Sequence, residues 1–98
     1  MEVWDFEGEL FEYSGKGSWH FVTLPADVGF AIRCSTKSRR SGWGMVAVTA
    51  EIRGVAFQSS LFPDRTSSSY LLPVKAAVRK AAGVRAGDRL AVNLSLLP

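Results

Sequence analysis

The fold of this chain is decided by residues Tyr70–Leu96, which read YLLPVKAAVRKAAGVRAGDRLAVNLSL. A helix accepts proline in its first turn, where the missing N–H group would be unpaired in any case, so Pro73 predicts a helix start. Gly83 stands where a left-handed C-cap is expected, which predicts that the helix ends near Ala82. The stretch therefore predicts one short helix between two strands.

The predicted helix has an apolar side and a basic side. Its apolar residues follow the i, i+3, i+4, i+7 spacing of one helical face. They are Val74, Ala77, Val78 and Ala81. Lys75, Arg79 and Lys80 fall on or near the opposite side, so we expect one face of the helix to join the core and the other to be basic.

A turn and a closing strand are predicted after the helix. Ala86, Gly87 and Asp88 form a tight-turn sequence. Apolar residues then alternate with polar or small ones, as in a half-buried strand. The apolar positions are Leu90, Val92, Leu94 and Leu96.

The rest of the chain predicts further strands and one more helix. Strands are predicted over Trp4–Tyr13, Trp19–Leu24, Met45–Ile52 and Val55–Leu61, and another strand ends at Tyr70. A short helix is expected after Pro25, with loops over 34–42 and 62–69. Six short strands with two helices predict a mainly β fold, a small helix-capped, double-split β-barrel, because closure hides strand edges. We expect tryptophan and phenylalanine to supply most of its core.

Two glycines are unfavourable for the elements in which they are predicted to lie. Gly8 interrupts the alternation of the first strand and suggests a bulge or bend. Gly29 weakens the first helix prediction, because glycine is a poor helix former.

A weak internal echo links two parts of the sequence. Val22–Pro25 and Tyr70–Pro73 both end in Leu-Pro, lie 48 positions apart and lead into a predicted helix. The echo suggests two strand–helix–strand halves that close one barrel about a pseudo-two-fold axis, while a chance match of two Leu-Pro pairs is the alternative.

Length and composition limit the class of protein. Ninety-eight residues predict a single domain over 1–98. No apolar run approaches the ~20 residues of a membrane span, and the acidic first residues do not resemble a targeting signal, so we expect a cytoplasmic protein. Cys34 is the only cysteine, which excludes an intramolecular disulfide and a multi-cysteine metal site.

The charges are distributed unevenly along the chain. Residues 1–12 hold five acidic residues and no basic one, whereas residues 13–98 hold twelve basic and four acidic residues, a net charge of +8. Such a charge favours anionic partners, although plain solubility is the simpler explanation.

No catalytic constellation is predicted. His20 is the only histidine and is expected in the middle of a strand. A dyad of His20 and Cys34 is one possibility, but a strand histidine and a small buried thiol are the simpler interpretation. We therefore expect no enzyme, no metal site and no cofactor.

One hypothesis is a non-catalytic binding or accessory module for an anionic small molecule or protein. Basic side chains beside aromatic rings and hydroxyls suit phosphates, carboxylates and nucleobases. The predicted ligand-binding residues are Arg33, Trp43, Ser60, Lys75 and Arg79. Ser60 and its neighbour Ser59 face opposite sides of a strand, so only one of them lines such a pocket. The alternative is that the helical bases simply face water. We expect a monomer or a weak dimer.

A second hypothesis is a DNA-binding regulator or antitoxin. Its contacts would be basic residues of the polar loop and of the second helix. They are Lys37, Arg39, Arg40, Lys75, Arg79 and Lys80.

Four segments together resemble a bacterial family of small uncharacterised domains often found beside YdeI/OmpD-associated domains. The segments are WHFVTLP at 19–25, GWG at 42–44, AEIRGVAFQSSLFP at 50–63 and YLLPVKAAVRKAAGVRAGD at 70–88. Phe57, where the family often has Trp, and Ser59, where it commonly has Thr, are mild departures. The resemblance implies a helix-capped split β-barrel with no established activity.

A looser similarity concerns LPVKAAVRKAAGVRAGDRLAV at 72–92, which resembles a segment of AbrB/MazE-like DNA-binding barrels. Those proteins dimerise to complete the barrel. The echo at Leu24-Pro25 would let one chain supply both halves, although the first half lacks a good copy of the Gly-Asp turn.

Overall fold

The structure is a computed structural model that describes residues 2–13, 19–37 and 44–97. Within these residues the chain forms six strands and two helices. The strands are β1 (Val3–Glu12), β2 (His20–Thr23), β3 (Val46–Ile52), β4 (Val55–Asp64), β5 (Ser69–Pro73) and β6 (Arg89–Leu96), and the helices are α1 (Ala26–Ser35) and α2 (Ala76–Ala82).

The strands form a closed barrel in the order β1-β2-β5-β4-β3-β6. All six neighbouring pairs are antiparallel. Each strand thus has a partner on both sides, which removes the exposed edges that short strands would otherwise present. The predicted mainly β, helix-capped barrel is confirmed, including the closing strand β6, whose Leu90, Val92 and Leu94 are buried.

Strand β1 changes partner near its middle. It pairs with β6 from Val3 to Glu9 and with β2 from Leu10 to Glu12. Pairing with β6 continues without an extra residue through Gly8, so the structure shows no bulge there. Gly8 is instead buried against β2, since a Cβ atom on it would lie 2.6 Å from Val22 Cγ1. Glycine lets the two strands approach closely at the corner of the barrel.

The echo in the sequence has a geometric counterpart. Thr23 is opposite Leu71 in the β2–β5 pair, and Val48 is opposite Leu96 in the β3–β6 pair. In each case the two paired residues are 48 positions apart in the sequence. A two-fold axis through both pairs would exchange β1 with β4, β2 with β5 and β3 with β6, which leaves the strand order of the barrel unchanged. The two halves therefore have equivalent topology.

Helix α1 includes Gly29, which the sequence pattern predicts to be unfavourable for a helix. Glycine is needed at this position because no side chain fits there. Gly29 is buried, and a Cβ atom there would overlap the Ser69 hydroxyl oxygen and lie 2.9 Å from Ser69 Cβ. The Ser69 hydroxyl donates a hydrogen bond to the Pro25 carbonyl at 3.3 Å. The contact therefore fixes α1 against β5.

Helix α2 begins at Ala76, so the predicted start at Pro73 is wrong. Pro73 is the last residue of β5, opposite Phe21, and the Val74 N–H group donates to the His20 carbonyl at 2.9 Å. The strand ladder thus continues over residues that the local pattern assigned to the helix. Gly83 has φ 68° and forms the left-handed C-cap as predicted.

Strand β4 is longer than predicted. Arg53 and Gly54 form the tight turn that precedes it, with φ values of 50° and 79°. Strand β4 then continues to Asp64, and Pro63 is opposite Tyr70 of β5. The prediction of a loop beginning at Phe62 is therefore wrong, because β5 extends the ladder.

The core is mainly aliphatic rather than aromatic. Among the described residues the largest fully buried side chains are leucine, isoleucine and valine. Phe6 and Phe21 are buried, but Trp4 is only half-buried and Trp19 is exposed. A barrel interior this narrow is filled by branched side chains, so most aromatic rings remain nearer the surface.

Candidate functional site

A cleft lies where β2 begins, β5 ends and α2 starts. It has a volume of about 260 Å³ and is referred to below as the α2 cleft. The residues that line it are Trp19, His20, Pro73, Val74, Lys75, Ala76 and Arg79. None of these residues is acidic, so the formal charge of the lining is positive.

The pairing of β2 with β5 assembles the cleft. Phe21 is opposite Pro73, and the hydrogen bond from Val74 N–H to the His20 carbonyl continues the same register. One position further, this register brings Trp19 beside Lys75. Residues that are far apart in the sequence therefore meet at the end of one ladder.

Arg79 is held in place within the cleft. It is half-buried, and its Nη1 donates a hydrogen bond of 2.7 Å to the Val74 carbonyl. A guanidinium group carries five N–H donors in a rigid plane, so one donor can anchor the group while others remain for a ligand. Lys75 is exposed and lies one helical turn before Arg79. The cleft thus combines an anchored, half-buried cation with an exposed one.

Trp19 forms the exposed aromatic wall. Its indole stacks on Phe21 with ring centroids 5.9 Å apart and an interplanar angle of 9°. Phe11 and Tyr13 also contact Phe21, at 6.0 Å and 6.2 Å between ring centroids. Trp19 nevertheless remains 51% exposed. The aromatic cluster supports the indole from one side and leaves much of it open.

A family model describes residues 6–94 as a domain of unknown function, DUF1905. The chain belongs to the DUF1905 family. No curated protein matches the chain.

The DUF1905 barrel brings only part of the predicted ligand-binding set together. Lys75 and Arg79 both line the α2 cleft, as the hypothesis required. Arg33 is exposed on α1 and lines a different pocket, of about 540 Å³, together with Asp64 and Arg65. Trp43 lies outside the described residues.

Ser60 is not among the residues that line the α2 cleft. It is opposite Ala47 on the outer face of the DUF1905 barrel. Its neighbour Ser59 shares the inner face with Leu61 and donates a hydrogen bond to the Pro73 carbonyl at 3.3 Å. Of the two serines, Ser59 is therefore the one that contacts the cleft, through its hydrogen bond to the backbone that leads into α2.

The predicted nucleic-acid residues occupy two regions. Lys75, Arg79 and Lys80 surround α2, whereas Lys37 lies just after α1. Arg39 and Arg40 lie outside the described residues. Contact of this set with DNA stays a prediction.

Sequence reasoning missed Trp19 and His20 as site residues. A signal for them was present in the Leu-Pro echo, because antiparallel pairing about Thr23 and Leu71 aligns Trp19 with Lys75. The structure also corrects the expected burial of Cys34, whose thiol is exposed near the end of α1.

The described residues contain neither a cluster of metal-ligating side chains nor a helix that could span a membrane. Within residues 2–13, 19–37 and 44–97, no group of three or more His, Cys, Asp or Glu side chains is placed to hold a metal ion. In the same residues, neither helix has the length and apolar character needed to cross a bilayer.

Proposed function

We propose that this DUF1905 domain is a non-catalytic binding module that recognises an anionic ligand in the α2 cleft. The observation that carries the proposal is the presence of Lys75 and anchored Arg79 in one concave, largely apolar site. An apolar wall lowers the local dielectric constant, which strengthens a charge-assisted hydrogen bond to a carboxylate or phosphate.

The expected affinity is modest. Hydrogen bonds to charged groups contribute roughly 1.5–3 kcal/mol each, so two such contacts give a dissociation constant between about 6 mM and 40 µM for a small anion. This range suits a module that senses an abundant metabolite or docks an acidic group of a protein partner. The resemblance to domains found beside YdeI/OmpD-associated domains makes a domain of that class the first protein partner to test, in a bacterial cytoplasm.

Calorimetric titration and thermal shift with inorganic phosphate, nucleotides and carboxylates test the proposal. Lys75→Ala combined with Arg79→Ala should weaken binding at least tenfold, because both cations of the cleft are lost. Lys80→Ala combined with Arg85→Ala is the matched control, since it removes the same charge from exposed positions that do not line the cleft.

Two results would overturn the proposal. One is an absence of any response to the whole panel by the wild-type protein. The other is equal binding by the two double variants, which would show that general positive charge and not the cleft attracts the anion. Unfolding curves without ligand verify that both variants are folded.

The alternative function is DNA binding of the AbrB/MazE type, which the grouping of Lys75, Arg79 and Lys80 about α2 favours. The outer face of β1 exposes Asp5, Glu7 and Glu9, so phosphates would have to approach from the α2 side. Affinity for random duplex DNA should then fall steeply as salt rises, because phosphate contacts release counterions. No binding at ~50 mM salt would exclude this alternative.

A further inference from the structure

The surface of the α2 cleft is divided into an aromatic wall and a cationic end. Trp19 stacks on Phe21, lines the cleft and is 51% exposed, so a large part of its indole is accessible. A planar ring placed against the accessible part of the indole would add to the existing aromatic cluster. Stacking on an indole already held by a neighbour costs little side-chain entropy, because the ring is ordered before the ligand arrives.

The other walls fit a small apolar body. Pro73, Val74 and Ala76 present short apolar surfaces. The volume of about 260 Å³ is slightly below the ~300–1,000 Å³ typical of pockets for drug-sized ligands, which favours a ligand with one or two rings. Such a surface favours binding of an apolar group but does not by itself distinguish an aromatic ring from an aliphatic one.

The cationic end of the cleft favours a ligand ring that carries an acidic substituent. Arg79 and Lys75 are one helical turn apart, and Trp19 would lie opposite Lys75 if the β2–β5 register is extended beyond the hydrogen bond from Val74 to His20; both residues line the cleft. A ring on Trp19 would thus have its substituent within the reach of both cations. The planar fork of Arg79 matches the two oxygens of a carboxylate or phosphate.

We infer that the α2 cleft recognises a planar aromatic anion, with its ring stacked on Trp19 and its acidic group bound by Arg79 and Lys75. This inference rests on the proposed function and adds the class of ligand. Aromatic carboxylates and nucleoside monophosphates share this chemistry, and matched probes separate them.

Two pairs of probes isolate the stacking contribution. Benzoate is compared with cyclohexanecarboxylate, and adenosine monophosphate is compared with ribose 5-phosphate, each by calorimetric titration or by chemical-shift titration. Within each pair the acidic group is the same, whereas the aromatic ring is saturated in the first pair and absent in the second. Stacking of a ring on an aromatic side chain is worth about 1–3 kcal/mol, so the aromatic member of at least one pair should bind about tenfold more tightly.

Trp19→Leu should abolish this preference, because leucine keeps apolar volume but has no ring face. Binding of cyclohexanecarboxylate and ribose 5-phosphate should change less than twofold. Tyr13→Leu is the matched control, since Tyr13 is 55% exposed in the same aromatic cluster but does not line the cleft. It should leave the aromatic preference intact.

The possible outcomes separate this inference from the function on which it rests. Equal binding of aromatic and saturated probes, with both lost in the Lys75, Arg79 double variant, would overturn the inference and leave the anion-binding function standing. An aromatic preference that survives Trp19→Leu would also overturn it. No binding of any of the four probes would overturn the inference, and no response to the whole panel of phosphate, nucleotides and carboxylates would overturn the function as well.

Discussion

Replacement of Gly29 by alanine tests the packing that attaches α1 to the barrel. In an isolated helix this change would be favourable by about 1 kcal/mol, because alanine is a much better helix former than glycine. In this protein the new Cβ atom would overlap the Ser69 hydroxyl and lie 2.9 Å from Ser69 Cβ and 3.1 Å from Ser69 Cα. Two of these three atoms are not free to rotate away, so the helix or the strand has to move.

The expected loss of stability follows from these contacts. Forcing an extra methyl group into a packed interior costs typically about 1–3 kcal/mol. Displacement of the Ser69 hydroxyl also breaks its hydrogen bond to the Pro25 carbonyl, worth about 1 kcal/mol. After the gain in helix propensity is subtracted, Gly29→Ala should lower the free energy of unfolding by about 1–3 kcal/mol.

Chemical and thermal unfolding monitored by circular dichroism measure this loss. For a domain of this size each kcal/mol lowers the melting temperature by about 4–8 °C. Combining Gly29→Ala with Ser69→Gly removes both the hydroxyl and the Cβ atom that clash, so the double variant should lose much less than the sum of the two single changes. Phe30→Ala, on the same helix at a residue that is 67% exposed, is the control and should stay close to wild type. A Gly29→Ala protein as stable as wild type or more stable would refute the argument, because it would show that helix propensity and not contact with Ser69 governs this position.

Two further substitutions examine other glycines by different mechanisms. Gly8→Ala should destabilise the protein by about 1–3 kcal/mol in urea unfolding, since its Cβ would lie 2.6 Å from Val22 Cγ1. Val22→Ala alone is also destabilising because Val22 is fully buried, but the two changes together should cost less than the sum of the single losses; additive effects would contradict this. Gly83→Ala should cost about 1 kcal/mol through backbone strain alone, because φ is 68° and no atom lies within 4 Å of the new methyl group. Gly83→Asn, which tolerates the left-handed conformation better, should lose less, and the reverse order of the two variants would count against the strain explanation.

The sequence predicted elements wherever a local pattern was sufficient. Alternation identified β6, and the capping glycine placed the end of α2 at Ala82. Errors arose where a distant strand decided the conformation. Pro73 is compatible with both a helix start and a strand end, and the hydrogen bond from Val74 to His20 selects the strand.

The same distinction applies to the candidate site. Lys75 and Arg79 were predicted together because both fall within the helix that the sequence predicts after Pro73, and both line the cleft. Trp19 was missed because its place beside Lys75 depends on the pairing of two segments that are far apart in sequence. Ser60 was preferred to Ser59 since a strand pattern shows that neighbours face opposite sides but not which side meets α2.

Closure of the barrel by β1 and β6 determines the order in which it can fold. Val3 is opposite Ser95, so the strand synthesised first is completed by the strand synthesised last. Until β6 leaves the ribosome, both β1 and β3 present unpaired edges, which are sites for aggregation. The barrel therefore closes only after synthesis of β6, and pairing of segments so far apart in sequence is expected to slow folding.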